Sequence, residues 1–338
     1  MAKTVRMTDI AKRLGVSTVT VSKALSDQKG VSDEVREKIK ELADSMGYKA
    51  PGARKADSRK SYNIGVLVVE AYIEKYGTFY WEMYQKISME SIKKNGFVML
   101  EVVSGAEEAK GNLPKLVQEK RVDGLLLLGG MRSDYLKRLH EEAGVPIVYM
   151  DFYDGSEQDD CVISNSFYGS YALTNYLFAM GHRDIAFVGT PLVTDSITDR
   201  YLGYLKSMME KGRKVLPEWV IPDRNQDRVC YDVFELPSAM PTAFVCNCDL
   251  TAGKVIKNLR EKGYRVPEDI SVVGYDDYIY PGLCDVGITT YSVDMAEMAK
   301  VGIRFLLKKI NGEAYQGGHH IVEGRLVIKE SVRELKAH

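Results

Sequence analysis

A short predicted helix near the N-terminus carries side chains that can read the bases of DNA. Its outward face contains Thr18, Val19 and Lys23. Lysine donates hydrogen bonds to guanine, and the methyl groups of threonine and valine pack against the methyl group of thymine. Neighbouring hydroxyl groups suit DNA phosphates, which fix the position of a protein without reading sequence. The predicted DNA contacts of this segment are Thr8, Ser17, Thr18, Val19, Thr20, Ser22 and Lys23.

Two helices joined by a tight turn must position these side chains, and the stretch TDIAKRLGVSTVTVSKAL at 8–25 predicts both. Thr8 is a good N-cap for the first helix, Gly15 ends it, and Ser17 can cap the second. In a helix-turn-helix of this kind, the second helix enters the major groove. The alternative is an ordinary pair of amphipathic helices, because the bare pattern has many false positives. A third predicted helix completes an all-α, three-helix head at 1–49.

The charge of the chain is polarised. Residues 1–60 contain 14 Lys and Arg against 8 Asp and Glu, whereas the remainder contains 32 against 39. A basic segment joined to an acidic body is typical of a nucleic-acid-binding module attached to a domain that must not bind DNA. The linker at 50–61 is basic as well. It is either a disordered tether or a segment whose Arg54 and Lys55 contact phosphates or the minor groove.

The composition of the chain excludes several classes of protein. No apolar run approaches the ~18–20 residues of a membrane span, and the first ten residues lack the apolar core of a secretory signal, so we expect a cytoplasmic protein without membrane contact. The five cysteines are an odd number in a chain of 338 residues, which argues against a disulfide framework. Neither they nor the five histidines have the spacing of a zinc site, so we expect reduced thiols, no metal and no other cofactor.

Strands alternate with helices in the rest of the chain, and the alternation runs through two similar series. The first series has predicted strands at 63–69, 97–103, 124–128 and 146–150, and the second at 185–188, 242–246 and 271–274. Such β-α-β units predict an α/β body of two doubly wound, parallel-sheet lobes. Ligands of these sheets bind at the carboxyl ends of the strands, so a cleft between the lobes is the predicted binding site.

Polar residues follow several of the predicted strands and are therefore candidates for ligand contacts in this cleft. Carboxylates and arginine make bidentate hydrogen bonds to neighbouring hydroxyl groups, which is how proteins usually hold sugars. The aromatic run Phe79-Tyr80-Trp81 offers flat surfaces for a sugar ring. The alternative for each residue is an ordinary structural role. The predicted ligand contacts are Phe79, Trp81, Asp151, Ser196, Arg200, Asp249 and Asp276.

Spaced motifs along the chain occur in the same order in a known family. They are VRMTDIAKRLGVSTVTVSKAL and VSDEVREKIKELADSMGYK in the head, and VDGLLLLG, GHRDIAFVG, RYLGY, PTAF, RVPEDISVVGYDD and the Thr-Thr pair at 289–290 in the body. The chain therefore resembles the lactose repressor/galactose repressor (LacI/GalR) family of bacterial transcription regulators. The resemblance implies a helix-turn-helix head and a periplasmic-binding-protein-like body, whose chain crosses between the lobes near Asp160, Tyr291 and Glu323.

The resemblance also implies how the chain is divided. A DNA-binding domain at 1–49 and a hinge at 50–61 would precede a two-lobed effector-binding and dimerisation domain at 62–338. The first lobe would comprise about 62–160 and 292–322, and the second about 161–291 and 323–338.

The resemblance also bears on individual functional residues. Family members contact effector at the positions of Trp81, Asp151, Ser196, Arg200 and Asp276. In the family, a hinge leucine enters the minor groove at the operator centre, whereas this chain has Ala56 at that position. Many members have Asn-Asp where this chain has Cys248-Asp249.

The function expected from these features is that of a homodimeric repressor on a near-palindromic DNA operator, released by a small, carbohydrate-like effector. One alternative is a regulator controlled by a protein partner. Another is a solute-binding or sugar-processing protein on the same scaffold. The sequence contains no G-x-G-x-x-G, P-loop or G-x-S-x-G motif, which argues against an enzyme.

Overall fold

Three helices enclose a small apolar core in the N-terminal unit, one of the two units, 1–60 and 61–338, into which the chain divides. The structure is a computed structural model that describes residues 5–25, 30–46, 48, 61–73, 78–154, 160–278, 280 and 282–335. The helices are α1 (Met7–Leu14), α2 (Thr18–Leu25) and α3 (Asp33–Ser45). They bury Ile10, Ala11, Val21, Ala24, Ile39 and Ala43. The predicted three-helix head is confirmed.

The ends of α1 and α2 follow the predicted chemistry except at Thr8. Gly15 has a φ of 66°, in the left-handed region that favours glycine, and ends α1. The Ser17 hydroxyl accepts the backbone N–H three residues on at 3.0 Å, as an N-cap does. Thr8 is not an N-cap, because α1 already begins at Met7. The carboxylate of Asp9 accepts a backbone N–H at the start of the helix instead.

The second unit alternates strands and helices, as predicted. Its strands are β1 (Tyr62–Val69), β2 (Gly96–Val103), β3 (Gly124–Leu128), β4 (Ile147–Met150), β5 (Asp160–Ser164), β6 (Ile185–Val188), β7 (Val220–Ile221), β8 (Ala243–Cys246), β9 (Ser271–Val273), β10 (Thr290–Ser292), β11 (His319–Val322) and β12 (Arg325–Val327). Its helices are α4 (Phe79–Lys93), α5 (Gly105–Lys110), α6 (Lys115–Gln118), α7 (Ser133–Glu142), α8 (Ser166–Ala179), α9 (Asp195–Glu210), α10 (Asp249–Glu261) and α11 (Met295–Asn311). Within the described ranges, no helix combines the length and apolar composition that a membrane crossing needs.

Two parallel sheets form the two lobes of this unit. The sheet of the first lobe has the strand order β11-β5-β4-β3-β1-β2, and that of the second lobe β7-β6-β8-β9. Strands β10 and β12 form a separate antiparallel pair. The side chains of β3 are buried along its whole length, as in parallel strands covered on both faces by helices. The predicted α/β body of two doubly wound lobes is confirmed.

The chain first crosses between the lobes later than predicted. Asp160 begins β5, which pairs with β4 and β11 in the first sheet, so the crossing lies at Asn165 and not near Asp160. An acidic residue can begin this strand because its carboxylate lies 3.1 Å from the ammonium group of Lys309. The other crossings, predicted near Tyr291 and Glu323, fall at β10 and between β11 and β12.

The close packing of α8 against α9 depends on a glycine. A Cβ atom at Gly203 would lie 2.1 Å from the backbone oxygen of Phe167. We therefore expect Gly203→Ala to lower the free energy of unfolding by about 1–3 kcal/mol, because the two helices must move apart. Urea denaturation measures this change. Gly105→Ala is the control, since a Cβ there meets no atom within 4 Å, and equal losses in both variants would contradict the prediction.

Candidate functional site

The predicted DNA contacts lie on the outer surface of the N-terminal unit. Thr18 and Ser22 are exposed, and Val19 is 62% exposed. Lys23 is half-buried on the same helix. Inward-facing residues of α2 hold this face in place by packing against α1 and α3. The hinge predictions at Arg54, Lys55 and Ala56 lie outside the described residues.

A cavity of about 140 Å³ lies between the two lobes of the second unit. The residues around it follow the carboxyl ends of β1, β4, β6, β8 and β9, where ligands of open α/β sheets bind. Its lining residues are Ala71, Tyr72, Thr78, Phe79, Tyr80, Asp151, Thr194, Ser196, Ile197, Arg200, Arg224, Arg228, Val229, Cys230, Asn247, Cys248, Leu250, Lys254, Asp276 and Tyr280. Five of the seven predicted ligand contacts are among them: Phe79, Asp151, Ser196, Arg200 and Asp276.

Arg200 is the most tightly held of these residues. It lies on α9 with 5% of its surface exposed. Its guanidinium donates to the backbone oxygen of Asn247 at 2.6 Å and to the Ser166 hydroxyl at 3.3 Å, and it stacks over the Tyr275 ring at 3.8 Å. Asp276 lies 3.4 Å from one of its terminal nitrogens. These contacts fix the orientation of a buried cation before any ligand arrives.

Two buried carboxyl groups face the same cavity from opposite lobes. Burial raises the pKa of Asp276 to about 7, although the Arg200 guanidinium acts in the other direction. Burial likewise raises the pKa of Asp151, which accepts a hydrogen bond from the Tyr80 hydroxyl at 2.8 Å. A carboxyl group that titrates near neutrality can either accept or donate a hydrogen bond. Asp276 therefore suits ligand hydroxyls, which also both donate and accept.

Aromatic side chains form one wall of the cavity, but Trp81 is not among them. Tyr72 and Tyr80 lie with their ring centroids 4.9 Å apart, and Phe79 meets Tyr80 edge to face at 5.3 Å. Trp81 is 43% exposed and does not line the cavity, contrary to the prediction. It lies two residues after Phe79 on α4, and that spacing turns a side chain to the opposite side of a helix. The available flat surfaces are therefore those of tyrosine and phenylalanine.

Asp249 is the second predicted contact that the structure leaves outside the cavity. It lies at the start of α10, buried, and one carboxylate oxygen accepts the backbone N–H of Tyr278 at 2.9 Å. Its neighbours Asn247 and Cys248 line the cavity in its place. Asp249 thus has a structural role in holding the loop that carries Asp276.

Comparison with known proteins identifies both units. Residues 6–50 match the family model "Bacterial regulatory proteins, lacI family", and residues 174–332 match a "Periplasmic binding protein-like domain". The chain therefore carries a lacI-family DNA-binding domain joined to a periplasmic-binding-protein-like domain. It is a DNA-binding transcriptional regulator.

Relatives and solved structures resemble this chain over nearly its whole length. The transcriptional repressor PurR of Pasteurella multocida (strain Pm70) is 28% identical over 96% of this chain and 98% of its own. The ribose operon repressor of Haemophilus influenzae is 28% identical over 98% and 99%. The lac repressor dimer bound to operator and the anti-inducer ONPF has a TM-score of 0.66 at 23% identity, over 98% of this chain and all of that one. The CelR regulator in complex with cellobiose has a TM-score of 0.68 at 24% identity, over 97% and 99%.

Three cationic residues that line the cavity were not predicted from the sequence. Arg224 and Arg228 lie in the loop after β7, and Lys254 lies in the second turn of α10. Strand β7 has only two residues, too few for a hydrophobic pattern to reveal that a strand end is present. The available signal was the charged run DRNQDR at 223–228, which directly follows a short apolar stretch.

Two polar contacts join the lobes at the edges of the cavity. Arg228 of the second lobe pairs with Glu108 of the first at 3.0 Å, and both side chains are largely buried. The Tyr153 hydroxyl, after β4, donates to the carboxylate of Asp199 on α9 at 3.0 Å. These contacts exist only when the lobes are close together, so they stabilise the arrangement in which the cavity is enclosed.

Proposed function

We propose that this chain represses transcription as a homodimer on a near-palindromic operator, and that a small polyhydroxylated effector in the interlobe cavity controls its DNA affinity. The observation that carries the proposal is the arrangement of Arg200, Asp276, Asp151 and aromatic rings around one cavity. The relatives named as repressors support the DNA-binding half of the proposal. One of them is the repressor of a ribose operon, which supports a carbohydrate as the effector class.

The lobes provide a physical route from effector to DNA. An effector in the cavity touches Tyr80 and Asp151 of the first lobe and Arg200 and Asp276 of the second. It therefore binds best when the lobes are close together, and it shifts the population towards that arrangement by no more than its differential affinity. We propose that this shift weakens operator binding, so that the effector is an inducer.

Base reading by α2 is the proposed source of operator specificity. Lys23→Ala is expected to weaken operator binding by ~1–3 kcal/mol and to relax the preference at one base position, because the donor to a base edge is lost. Fluorescence anisotropy with a set of single-base operator variants measures both effects. Lys38→Ala is the matched control, since it removes the same charge from an exposed ion pair on α3. An unchanged sequence preference in the Lys23 variant would refute this placement of α2 on DNA.

The dimer is proposed to form through an apolar surface of the body. Met89, Ile92 and Phe97 are each more than half exposed on α4 and at the start of β2. Monomeric proteins rarely expose several large apolar side chains together, so this patch suits a self-association surface. A dimer presents two heads to two operator half-sites. Since its target is operator DNA, we place the protein in the cytoplasm.

A ligand screen on the full-length protein tests the proposed effector class. Carbohydrates and nucleosides are added to the protein, and a rise in Tm reports binding to the folded state. Active compounds are then added to the operator complex, where a fall in DNA affinity is the expected result. If no compound of the panel raises the Tm, control by a protein partner is favoured. Turnover of a sugar would contradict the assignment of the protein as a regulator.

A further inference from the structure

The wall of the effector cavity carries more positive than negative side chains. Among the described residues that line it, four are cationic, namely Arg200, Arg224, Arg228 and Lys254, and two are acidic, namely Asp151 and Asp276. The acids that pair with three of these cations, Asp223, Glu108 and Asp232, do not line the cavity. A ligand in the cavity therefore meets these cations and not the acids that pair with them.

Arg224 keeps hydrogen-bonding capacity for a ligand. Its Nε and one terminal nitrogen donate to a single oxygen of Asp223, at 3.0 and 2.7 Å. Its other terminal nitrogen makes no hydrogen bond to any residue that the structure describes. The carboxylate of Asp223 also accepts from Asn247 at 2.8 Å and from Thr251 at 3.0 Å, so neutral donors share its charge. The guanidinium is thus anchored on one side and free on the other, at the cavity surface.

Arg228 brings a second guanidinium to the same end of the cavity. Both of its terminal nitrogens are used by Glu108, whereas its Nε makes no hydrogen bond within the described part of the chain. Its guanidinium carbon lies 5.9 Å from the centre of the Tyr72 ring. Burial raises the pKa of the Tyr72 hydroxyl to about 12, and Arg228 and Arg224 both act against that rise, which means that both cations lie near this ring.

The two acidic side chains of the wall do not cancel this positive charge near neutral pH. Burial raises the pKa of Asp276 to about 7, so this carboxyl group spends part of its time uncharged, and burial raises the pKa of Asp151 as well. Arginine, in contrast, stays charged at every physiological pH. Arg224 and Arg228 each keep an N–H donor that no described residue accepts, and a planar guanidinium binds carboxylate and phosphate oxygens particularly well.

We propose that the effector carries an oxyanion, a carboxylate or a phosphate, beside its hydroxyl groups, and that Arg224 and Arg228 bind it at the Tyr72 end of the cavity. Arg200 and Asp276 hold the hydroxyl-bearing part. This inference rests on the proposed function of the cavity as an effector site. The cavity of about 140 Å³ is smaller than the ~300–1,000 Å³ of typical small-molecule pockets, so the ligand is a single ring or a chain of similar size.

Matched pairs of neutral and anionic ligands test this inference on the full-length protein. D-Glucose is compared with D-glucuronate and glucose 6-phosphate, and D-ribose with ribose 5-phosphate, by isothermal titration calorimetry. We expect an anionic member to bind at least tenfold more tightly than its neutral parent. Comparing the affinities of D-glucuronate and glucose 6-phosphate then shows whether the cavity prefers a carboxylate or a phosphate.

Substitutions test whether Arg224 and Arg228 cause the preference for anionic ligands. Arg224→Gln is expected to bring the anionic-to-neutral affinity ratio towards one. The double variant Glu108→Gln/Arg228→Gln, which removes both charges of the interlobe pair and so leaves no buried charge unpaired, is expected to lower the same ratio. Arg213→Gln, which removes an exposed cation of the second lobe outside the cavity, is expected to leave the ratio unchanged.

The possible outcomes separate this inference from the proposed function. If neutral sugars bind as tightly as their anionic partners or more tightly, the cavity is an effector site and the oxyanion inference is wrong. An anion preference that survives in Arg224→Gln and in the double variant would also overturn it. If no member of any pair binds, the proposal of a carbohydrate effector is wrong, and the oxyanion inference, which rests on it, is wrong as well.

Discussion

Replacing Arg200 with alanine is expected to abolish the response to effector while operator binding persists. The side chain is the buried cation at the centre of the cavity, and its contacts to Asn247, Ser166 and Asp276 point it at the ligand. A hydrogen bond from a charged group to a ligand is worth ~1.5–3 kcal/mol, so losing those of the guanidinium is expected to lower the effector affinity by about tenfold to a hundredfold. Operator binding depends on the N-terminal unit, which this substitution does not touch.

The fold of this variant should survive, because Asp276 can take up a proton. The carboxyl group has a pKa of about 7 even with Arg200 beside it, and the loss of that cation raises the pKa further. The buried site is then neutral and not an unpaired anion. Circular dichroism checks the fold, calorimetry the effector affinity, and an anisotropy titration the operator response. Arg265→Ala, at an exposed ion pair of the same lobe, is the control. A normal effector response in the Arg200 variant would refute the assignment of the cavity.

Removing the first 60 residues is expected to abolish operator binding and to leave effector binding within about twofold of that of the full chain. The predicted base contacts all lie in the N-terminal unit, and the residues that line the cavity all lie in the second. The two units also have separate apolar cores, so residues 61–338 should fold without the head.

Two titrations of the truncated protein measure these effects. Calorimetry with an effector gives the affinity of the cavity, and anisotropy with a labelled operator gives the DNA affinity. The same titrations on the full-length protein are the reference. Loss of effector binding would show that the cavity depends on the head, and residual sequence-specific DNA binding would show that base reading is not confined to α2.

The sequence by itself determined the helix-turn-helix head and the alternation of strands and helices. Both depend on local chemistry. Gly15 and Ser17 place the ends of α1 and α2 through backbone conformation and a capping hydrogen bond, which need only a few neighbouring residues. It also placed Asp151, Arg200 and Asp276 at the cavity, because parallel strands bring their carboxyl ends to one edge and the residues that follow them meet there.

Only the tertiary structure decided which neighbours of these residues face the ligand. Trp81 and Asp249 lie one or two positions from lining residues, but the direction of a helix and the path of a loop turn them away. Arg224 and Arg228 enter the cavity from a loop whose strand is two residues long, and the position of that loop depends on pairing with β6, far away in sequence. The charge of the cavity wall depends on which side of each ion pair faces inward, and that orientation is fixed by tertiary contacts, within the second lobe for Arg224 and Lys254 and between the lobes for Arg228.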